Sequence, residues 1–211
     1  MNKTVELVNE WAKFEENYPN AGIDEFCRYY IINARQKQSQ EELFQGAIPP
    51  PPDISLVKLM GRLTRMFLMY ADPAIKENGI RHLDDFLFLN VIHQRKEPRK
   101  TEVIYEAMTE VSTGLLILTY LKQKKLITEF DDPVDKRSKR VKMTDDGIKL
   151  LFKCYHDLSD VGQMMFGDVP KDDINLCIQL LKNVDSKFAK LWYQHKGKSL
   201  DEVIQSIKEE Q

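Results

Sequence analysis

The sequence lacks the features that mark secreted and membrane-spanning proteins. Its three cysteines, Cys27, Cys154 and Cys177, are widely spaced and form no CxxC pair, so neither a disulfide framework nor a zinc knuckle is indicated. We expect each to be a small buried hydrophobic side chain. No apolar run approaches the roughly 18 residues of a membrane helix, and the opening MNKTVELVNEWAKFEE turns acidic where a signal peptide would be apolar. These absences predict a cytoplasmic protein without membrane attachment.

Catalytic and metal-binding patterns are also missing. The four histidines are scattered, and the chain contains no HExxH, GxSxG or P-loop pattern. Cys154 and His156 would lie on different faces of a helix, which does not suit a metal site. We therefore expect a protein that is not an enzyme and that holds neither a cofactor nor a metal.

Positive charge is concentrated in one part of an otherwise acidic chain. Residues 95–142 hold 12 Lys or Arg and 8 Asp or Glu, a net charge of +4, although the whole chain carries −2. Five basic side chains fall within seven positions of DDPVDKRSKRVKMTDDG, residues 131–147. Such asymmetry is typical of a nucleic-acid-binding module, although a solvated charged loop gives the same pattern.

Helical periodicity dominates the first part of the sequence. Leu7, Trp11, Phe14 and Tyr18 form one stripe of a helix, and GIDEFCRYYIINARQKQSQEELF predicts a second helix with Asp24 as its N-cap. The proline run in GAIPPPPDI, residues 46–54, cannot be helical and is interpreted as a stiff spacer rather than a docking motif. We expect residues 1–53 to form a helical extension with a Pro-rich linker.

The middle of the chain predicts further helices in quick succession. SLVKLMGRLTRMFLMYADPAI has helical spacing and is expected to end near Pro73, and LDDFLFLNVIHQ is apolar on most sides and therefore central. Two helical patterns, at about 101–108 and 112–124, are separated only by TEV. So short a turn indicates a helix-turn-helix.

Beyond residue 125 the pattern changes to that of a hairpin. LITEF and KRVKMT are short β-type segments on either side of the turn formers in DDPVDKRS. Thr144 is the expected cap of a long following helix, with Asp145 and Asp146 in its first turn. Another amphipathic helix follows, and the tail SLDEVIQSIKEE is expected to be helical.

This order of elements, with DPVDKRSKRVKMTDDG at its centre, resembles the MarR family of bacterial transcription regulators. Asp135 and Arg137 match the family's D-x-R pair, Met143 and Thr144 stand at its Leu-Thr, and Gly147 matches its glycine. Lys125 departs from the pattern, because the family usually has glycine there. The resemblance covers residues 54–192, with the tail at 193–211 outside it.

The resemblance implies a mostly α-helical winged helix-turn-helix, with a wing at about 126–143 and long N- and C-terminal dimerisation helices. It implies a homodimer that binds a pseudo-palindromic operator in double-stranded DNA, with each wing in a minor groove. Asp135 is expected to orient Arg137. The expected DNA-binding side chains are Arg137, Lys136, Lys139, Arg140, Lys142, Ser112, Thr113, Thr119, Tyr120, Arg99 and Lys100.

The expected recognition helix departs from the family pattern. Leu115 and Leu116 stand where relatives commonly carry polar or basic side chains, and bidentate readout of a base is not supported before Gln123. Leucine can touch a thymine methyl, and Gly114 allows close backbone approach to DNA. The alternative is a winged-helix interaction module without sequence-specific DNA binding, in which both leucines form an exposed patch.

Regulators of this kind often sense small aromatic molecules, so the resemblance adds a small aromatic effector to the expected partners. The sequence offers Phe67, Met69, Tyr70 and Phe88 for such a pocket, although side chains of this type are more often part of a plain core.

Overall fold

The structure is a computed structural model that describes residues 2–36 and 50–209. The first four residues of the predicted spacer, and the part of the predicted second helix after Gln36, lie outside the described residues. The described elements, in chain order, are α1 (Lys3–Asn17), α2 (Ile23–Gln36), α3 (Pro52–Lys76), α4 (Leu83–Arg95), α5 (Lys100–Glu106), α6 (Val111–Gln123), β1 (Ile127–Asp131), β2 (Lys139–Met143), α7 (Asp145–Phe166), α8 (Lys171–His195) and α9 (Leu200–Glu209). This confirms a mostly helical fold with one hairpin.

Two compact units make up the chain, Met1–Met60 and Gly61–Gln211. The division falls inside α3, and the predicted boundary at residue 53 stays a prediction. In the first unit, α1 and α2 form a helical hairpin in which the ring of Trp11 meets that of Phe26 edge-on at 4.9 Å. Asp24 is not the N-cap of α2: it lies in the first turn and pairs with Arg28.

The core of the second unit is centred on α4. Phe88, Leu89 and Ile92 on this helix have no exposed surface, which confirms the central position expected from its apolar sequence. Residues of α5, α6, β2 and α7 pack around it. A helix surrounded on most sides needs no polar face, and this explains why its sequence is apolar nearly all round.

The third helix runs past Pro73 to Lys76, so the expectation that it ends near that proline is wrong. Pro73 is exposed, and its neighbours Ala71 and Ile75 are completely buried. Proline removes one backbone hydrogen bond but keeps a helical φ. Burial of the flanking residues, in the final turn of the helix, outweighs that loss.

The helix-turn-helix is present as α5 and α6, which pack closely at Gly114. A Cβ at this position would lie 2.5 Å from Cγ1 of Ile104, so only glycine allows the two helices to approach. The glycine is buried. From the sequence we expected Gly114 to allow close approach to DNA, whereas in the structure it allows close approach to α5.

The predicted hairpin is antiparallel, with Ile127 opposite Met143 and Asp131 opposite Lys139. Thr144 caps α7 as expected, since its Oγ1 accepts a hydrogen bond from the backbone N–H of Gly147 at 3.0 Å. A Cβ on Gly147 would lie only 2.1 Å from the carbonyl oxygen of Leu126. Glycine is therefore required where α7 begins beside β1.

Lys125 connects α6 to the hairpin in a left-handed conformation, with φ of 60°. The backbone N–H of Leu126 donates to the carbonyl of Leu121 at 3.0 Å, and that of Lys125 to the carbonyl of Lys122 at 2.9 Å. These two bonds form a Schellman motif, whose left-handed residue is normally glycine. The geometry explains why glycine would suit this position better than lysine.

Of the three cysteines, only Cys154 is buried, and its burial raises the pKa of the thiol. Cys27 and Cys177 are exposed, so the expectation of burial is wrong for these two. Both lie on the outer surface of amphipathic helices, α2 and α8.

None of the described helices is long and apolar enough to cross a membrane. No group of three potential metal ligands converges within residues 2–36 and 50–209.

Candidate nucleic-acid interface

One buried carboxylate, that of Asp132, organises the hairpin. Asp132 directly follows β1 in the sequence and is only 1% exposed. It accepts hydrogen bonds from Nε of Arg99 at 2.8 Å, Nε of Arg140 at 2.7 Å, and the backbone N–H groups of Val134 and Asp135 at 2.8 and 3.0 Å. The Arg99 guanidinium, followed by the backbone N–H of Asp135, holds the pKa of Asp132 well below its usual range.

The hairpin is fixed to the segment before α5 by Asp132, which binds Arg99, and by two further hydrogen bonds. The backbone N–H of Val141 in β2 donates to the carbonyl of Pro98 at 3.0 Å, and Nη1 of Arg140 donates to the carbonyl of Glu97 at 2.6 Å. Arg99 and Arg140 also form an isolated antiparallel bridge. The wing and the helix-turn-helix are thus positioned relative to each other by bonds between residues far apart in the sequence.

Five of the seven basic side chains predicted to contact DNA are engaged in ion pairs within the chain. The pairs are Arg99 and Arg140 with Asp132, Lys100 with Glu129, Lys139 with Asp131, and Lys142 with Glu97. Exposed pairs contribute little and exchange readily, so Lys139 and Lys142 are able to leave their carboxylates for phosphates. Arg99 and Arg140 hold a buried carboxylate, which would otherwise be left unpaired, and we assign them a structural part.

The remaining two cations, Lys136 and Arg137, stand at the tip of the hairpin. Both are exposed, and within the described parts of the chain neither has an ion pair. The turn that carries them is fixed by Asp132, whose carboxylate accepts hydrogen bonds from the backbone N–H groups of Val134 and Asp135. The arrangement presents two positive charges on a fixed support.

Asp135 differs from its predicted part. Its Oδ1 accepts from the backbone N–H of Arg137 at 3.1 Å, and its Oδ2 accepts from Oγ of Ser138 at 2.8 Å. The carboxylate therefore shapes the turn on which Arg137 stands, whereas the sequence had suggested a direct pair with the guanidinium.

The outer face of α6 is uncharged along most of its length. Ser112, Thr113 and Thr119 are exposed, as are Leu115 at 40% and Leu116 at 70%. Oγ1 of Thr119 donates to the carbonyl of Leu115 at 2.7 Å. Neither leucine belongs to the core.

Tyr120 is the predicted contact residue that α6 turns away from its exposed face. The guanidinium carbon of Arg81 lies 3.4 Å from the centre of the Tyr120 ring, and the Tyr120 hydroxyl donates to the carbonyl of Gly79 at 3.1 Å. Burial raises the pKa of this hydroxyl. Tyr120 secures α6 to the loop after α3 and is half-buried there, and its contact with DNA stays a prediction.

The sequence reasoning missed Asp132, although a signal for it was present. An aspartate ahead of a turn often accepts bonds from the backbone N–H groups two and three residues further on, as Asp132 does with Val134 and Asp135. The Asp-Pro pair before the charged turn marks this arrangement. Its pairing with Arg99, 33 residues away, has no counterpart in any local pattern.

The residues suggested for an effector pocket do not converge. Phe88 is part of the core, and Met69 is 59% exposed. A different cavity of about 100 Å³ lies where the end of α8 meets α5 and α6, and it is lined by Thr101, Ile104, Tyr105, Thr109, Val111, Trp192 and Lys196.

Taken together, the elements define a winged helix-turn-helix, in which α5 and α6 are the paired helices and β1 and β2 the wing. No family model matches the sequence, and no curated protein matches it. Solved structures do match. A mutant MarR from E. coli complexed with operator DNA is 21% identical with a TM-score of 0.57, and the match covers 68% of this chain and 99% of that one.

Two further structures extend the comparison. A MarR-family transcriptional regulator from Rhodococcus has a TM-score of 0.57 at 17% identity and covers 64% of this chain and 96% of its own. PcaV from Streptomyces coelicolor, in complex with its natural ligand, has a TM-score of 0.56 at 17% identity, with 67% and 98% covered. The chain thus has the fold of the MarR-family transcriptional regulators that it matches.

Proposed function

We propose that the chain is a MarR-type transcription regulator that binds double-stranded DNA in the cytoplasm. The observation that carries the proposal is the wing tip, where Lys136 and Arg137 are exposed and have no ion pair among the described residues, on a turn fixed by Asp132. Arginine suits a narrow, electronegative minor groove, and lysine neutralises phosphates without reading sequence. The operator complex of a matched MarR supports the same use of the fold.

The proposal includes a homodimer on a pseudo-palindromic operator. Leu180, Val184 and Phe188 recur every four residues along α8 and are 48–55% exposed. An apolar stripe of this length on a long helix is stabilised when a second helix covers it. A two-fold dimer would place its two recognition helices about one DNA turn apart, on the order of 34 Å.

The test is binding of the full chain to the duplex upstream of its own gene, and to a pool of random duplexes, at several salt concentrations. We expect binding that weakens steeply with salt and is reduced in an Arg137→Ala variant. If no duplex is bound even at low salt, DNA binding fails as a function. A sedimentation measurement that returns a monomer at micromolar concentration would remove the homodimer.

Release by a small aromatic effector belongs to the same proposal. The cavity between α8 and α5–α6 has room for about one aromatic ring, and Tyr105 and Trp192 line it. Nζ of Lys196 lies 3.3 Å from Oε2 of Glu110, beside the start of α6. Ligand binding there would act on the recognition helix directly.

Substituted benzoates are suitable probes of this cavity. We expect bound benzoate to raise the Tm of the protein and to lower its affinity for DNA. Neither effect should be seen in a Trp192→Ala variant. If Tm and DNA binding are unchanged across the series, benzoates are not effectors of this protein.

A second candidate function is a winged-helix module that binds another protein. The observation in its favour is that Leu115 and Leu116 are both exposed on α6. This function would be supported by the absence of duplex binding together with self-association or partner capture that is lost in Leu116→Ala. It is the weaker candidate, because it leaves Lys136 and Arg137 unexplained.

A further inference from the structure

The exposed face of α6 is chemically unusual for a helix that reads DNA. From Val111 to Leu121 it contains no charged residue and no Asn or Gln. The side chains that read guanine or adenine by paired hydrogen bonds are therefore missing along its first three turns. What the helix presents instead is apolar surface, since Val111 is 54%, Leu115 40% and Leu116 70% exposed.

The hydroxyl groups of this face do not replace the missing side chains that would hydrogen-bond to bases. Thr119 uses its hydroxyl proton in the bond to the carbonyl of Leu115, so it has no donor left for a base. Ser112 and Thr113 lie in the first turn, where side chains and backbone N–H groups commonly contact phosphate. At the centre of the face, between that turn and Thr119, stand Leu115 and Leu116.

A base edge offers substantial apolar surface in only one form. In the major groove the thymine 5-methyl group is the only methyl group on the four base pairs; the other groups that distinguish the bases are hydrogen-bond donors or acceptors, and the C5–H of cytosine presents much less apolar surface. Water surrounds this methyl in free DNA, and contact with a leucine side chain removes both apolar surfaces from water. Leucine against a donor or acceptor would instead leave that group without a partner.

We propose that α6 selects its operator by thymine methyl groups, with Leu116 as the main specificity-determining residue and Leu115 and Val111 beside it. The proposal rests on the proposed DNA-binding function and names what that function recognises. It also fits the wing, because runs of A·T pairs have the narrow minor groove that attracts Arg137. Both elements of one subunit are then satisfied by an A·T-rich half-site.

Deoxyuridine gives the decisive experiment, because it differs from thymine only in the missing methyl group. A duplex obtained by selection with the full chain is compared with the same duplex in which thymines are replaced by deoxyuridine, one position at a time. We expect the positions facing α6 to lose roughly 4-fold in affinity for each methyl removed, and other positions to lose little. A third duplex with 5-methylcytosine in place of the sensitive thymine separates the methyl group from the rest of the base. We expect it to bind more tightly than the duplex with unmodified cytosine there.

The matched variants are Leu116→Ala and Leu200→Ala, since Leu200 is an exposed leucine at the start of α9, outside the helix-turn-helix and outside the apolar stripe of α8. We expect Leu116→Ala to bind the thymine duplex more weakly and to lose nothing further when deoxyuridine replaces the thymine that faces Leu116, whereas Leu200→Ala keeps the full sensitivity to the methyl group. Equal affinity of the wild type for the thymine and deoxyuridine duplexes would overturn methyl readout and leave DNA binding intact. Failure to bind any duplex would remove the proposed function itself, so the two failures are distinguishable.

Discussion

The wing and the recognition helix lie side by side in the fold and are built from opposite chemistry. The wing is held by charged groups around one buried carboxylate, and its tip carries two exposed cations that form no ion pair with residues 2–36 or 50–209. The outer face of α6 is uncharged from Val111 to Leu121 and exposes two leucines. Under the proposed function, this difference gives the two regions separate roles: the wing supplies salt-dependent affinity for DNA, and α6 supplies the choice of DNA sequence, which does not depend on salt.

The largest expected effect comes from the joint between these two regions. Gly147→Ala would place a methyl group against the Leu126 carbonyl, which is backbone and cannot move aside. We expect the free energy of unfolding to fall by about 3 kcal/mol or more. Chemical denaturation measures it.

Gly162→Ala on the same helix is the control for that substitution. Nothing lies within 4 Å of its Cβ position, so alanine should stabilise the protein by about 0.5–1 kcal/mol through helix propensity alone. Equal effects of the two substitutions would show that the contact with Leu126 is not what requires glycine.

Asp132→Asn should separate the wing from the helix. The amide cannot hold two guanidinium groups, so we expect faster hydrogen exchange at residues 132–138 with little change in α6. Asp146→Asn, on an exposed carboxylate, is the control. Loss of protection in α6 to the same extent would show that the two regions unfold as one.

Acid should remove the difference between wild type and Asp132→Asn. The folded pKa of Asp132 lies below its unfolded value, so its stabilising contribution is complete above about pH 4 and is lost as pH falls below that value. The gap between the two denaturation midpoints should therefore narrow progressively below pH 4. A constant gap down to pH 2 would contradict the assigned role of the carboxylate.

Salt dependence tests the division of labour itself. Arg137→Ala removes one cation from each subunit and should reduce the slope of log affinity against log salt by about 2 for a dimer. Leu116→Ala should weaken binding without changing the slope. Lys149→Ala, an exposed cation on α7, serves as the control. A slope that falls equally in the Arg137 and Leu116 variants would end the distinction between wing and helix.

The smallest effect is expected at the connection between the two regions. Lys125→Gly relieves a left-handed backbone at a Schellman motif and should raise the free energy of unfolding by about 1 kcal/mol. Lys124→Gly, one residue earlier in a right-handed conformation, should lower it. The same denaturation assay measures both.

Local patterns in the sequence were sufficient for the elements of the fold. Thr144 as a helix cap, the turn formers of the hairpin and the short gap between α5 and α6 each act over a few residues, and each was found where expected. Such features depend on backbone geometry that neighbouring side chains determine. The wing could therefore be placed before any contact was known.

The details of the interface depend on contacts between distant residues and could not be placed in this way. The bond from Arg99 to Asp132 and that from Tyr120 to Gly79 link residues 33 and 41 positions apart. Both engage within the chain a side chain that the sequence predicts to contact DNA, and no local pattern indicates either bond. The continuation of α3 through Pro73 likewise follows from burial of its neighbours, which propensity does not include.

Pro98 has a consequence for the behaviour of the protein at high concentration. The outer edge of β2 would be open to pairing with a strand of another molecule, and exposed strand edges are sites of aggregation. Pro98 is buried beside this edge and accepts the N–H of Val141, but its ring has no N–H with which to continue the ladder. The sheet therefore does not extend beyond β2 on this side, and two copies of the chain at high concentration cannot join through this edge.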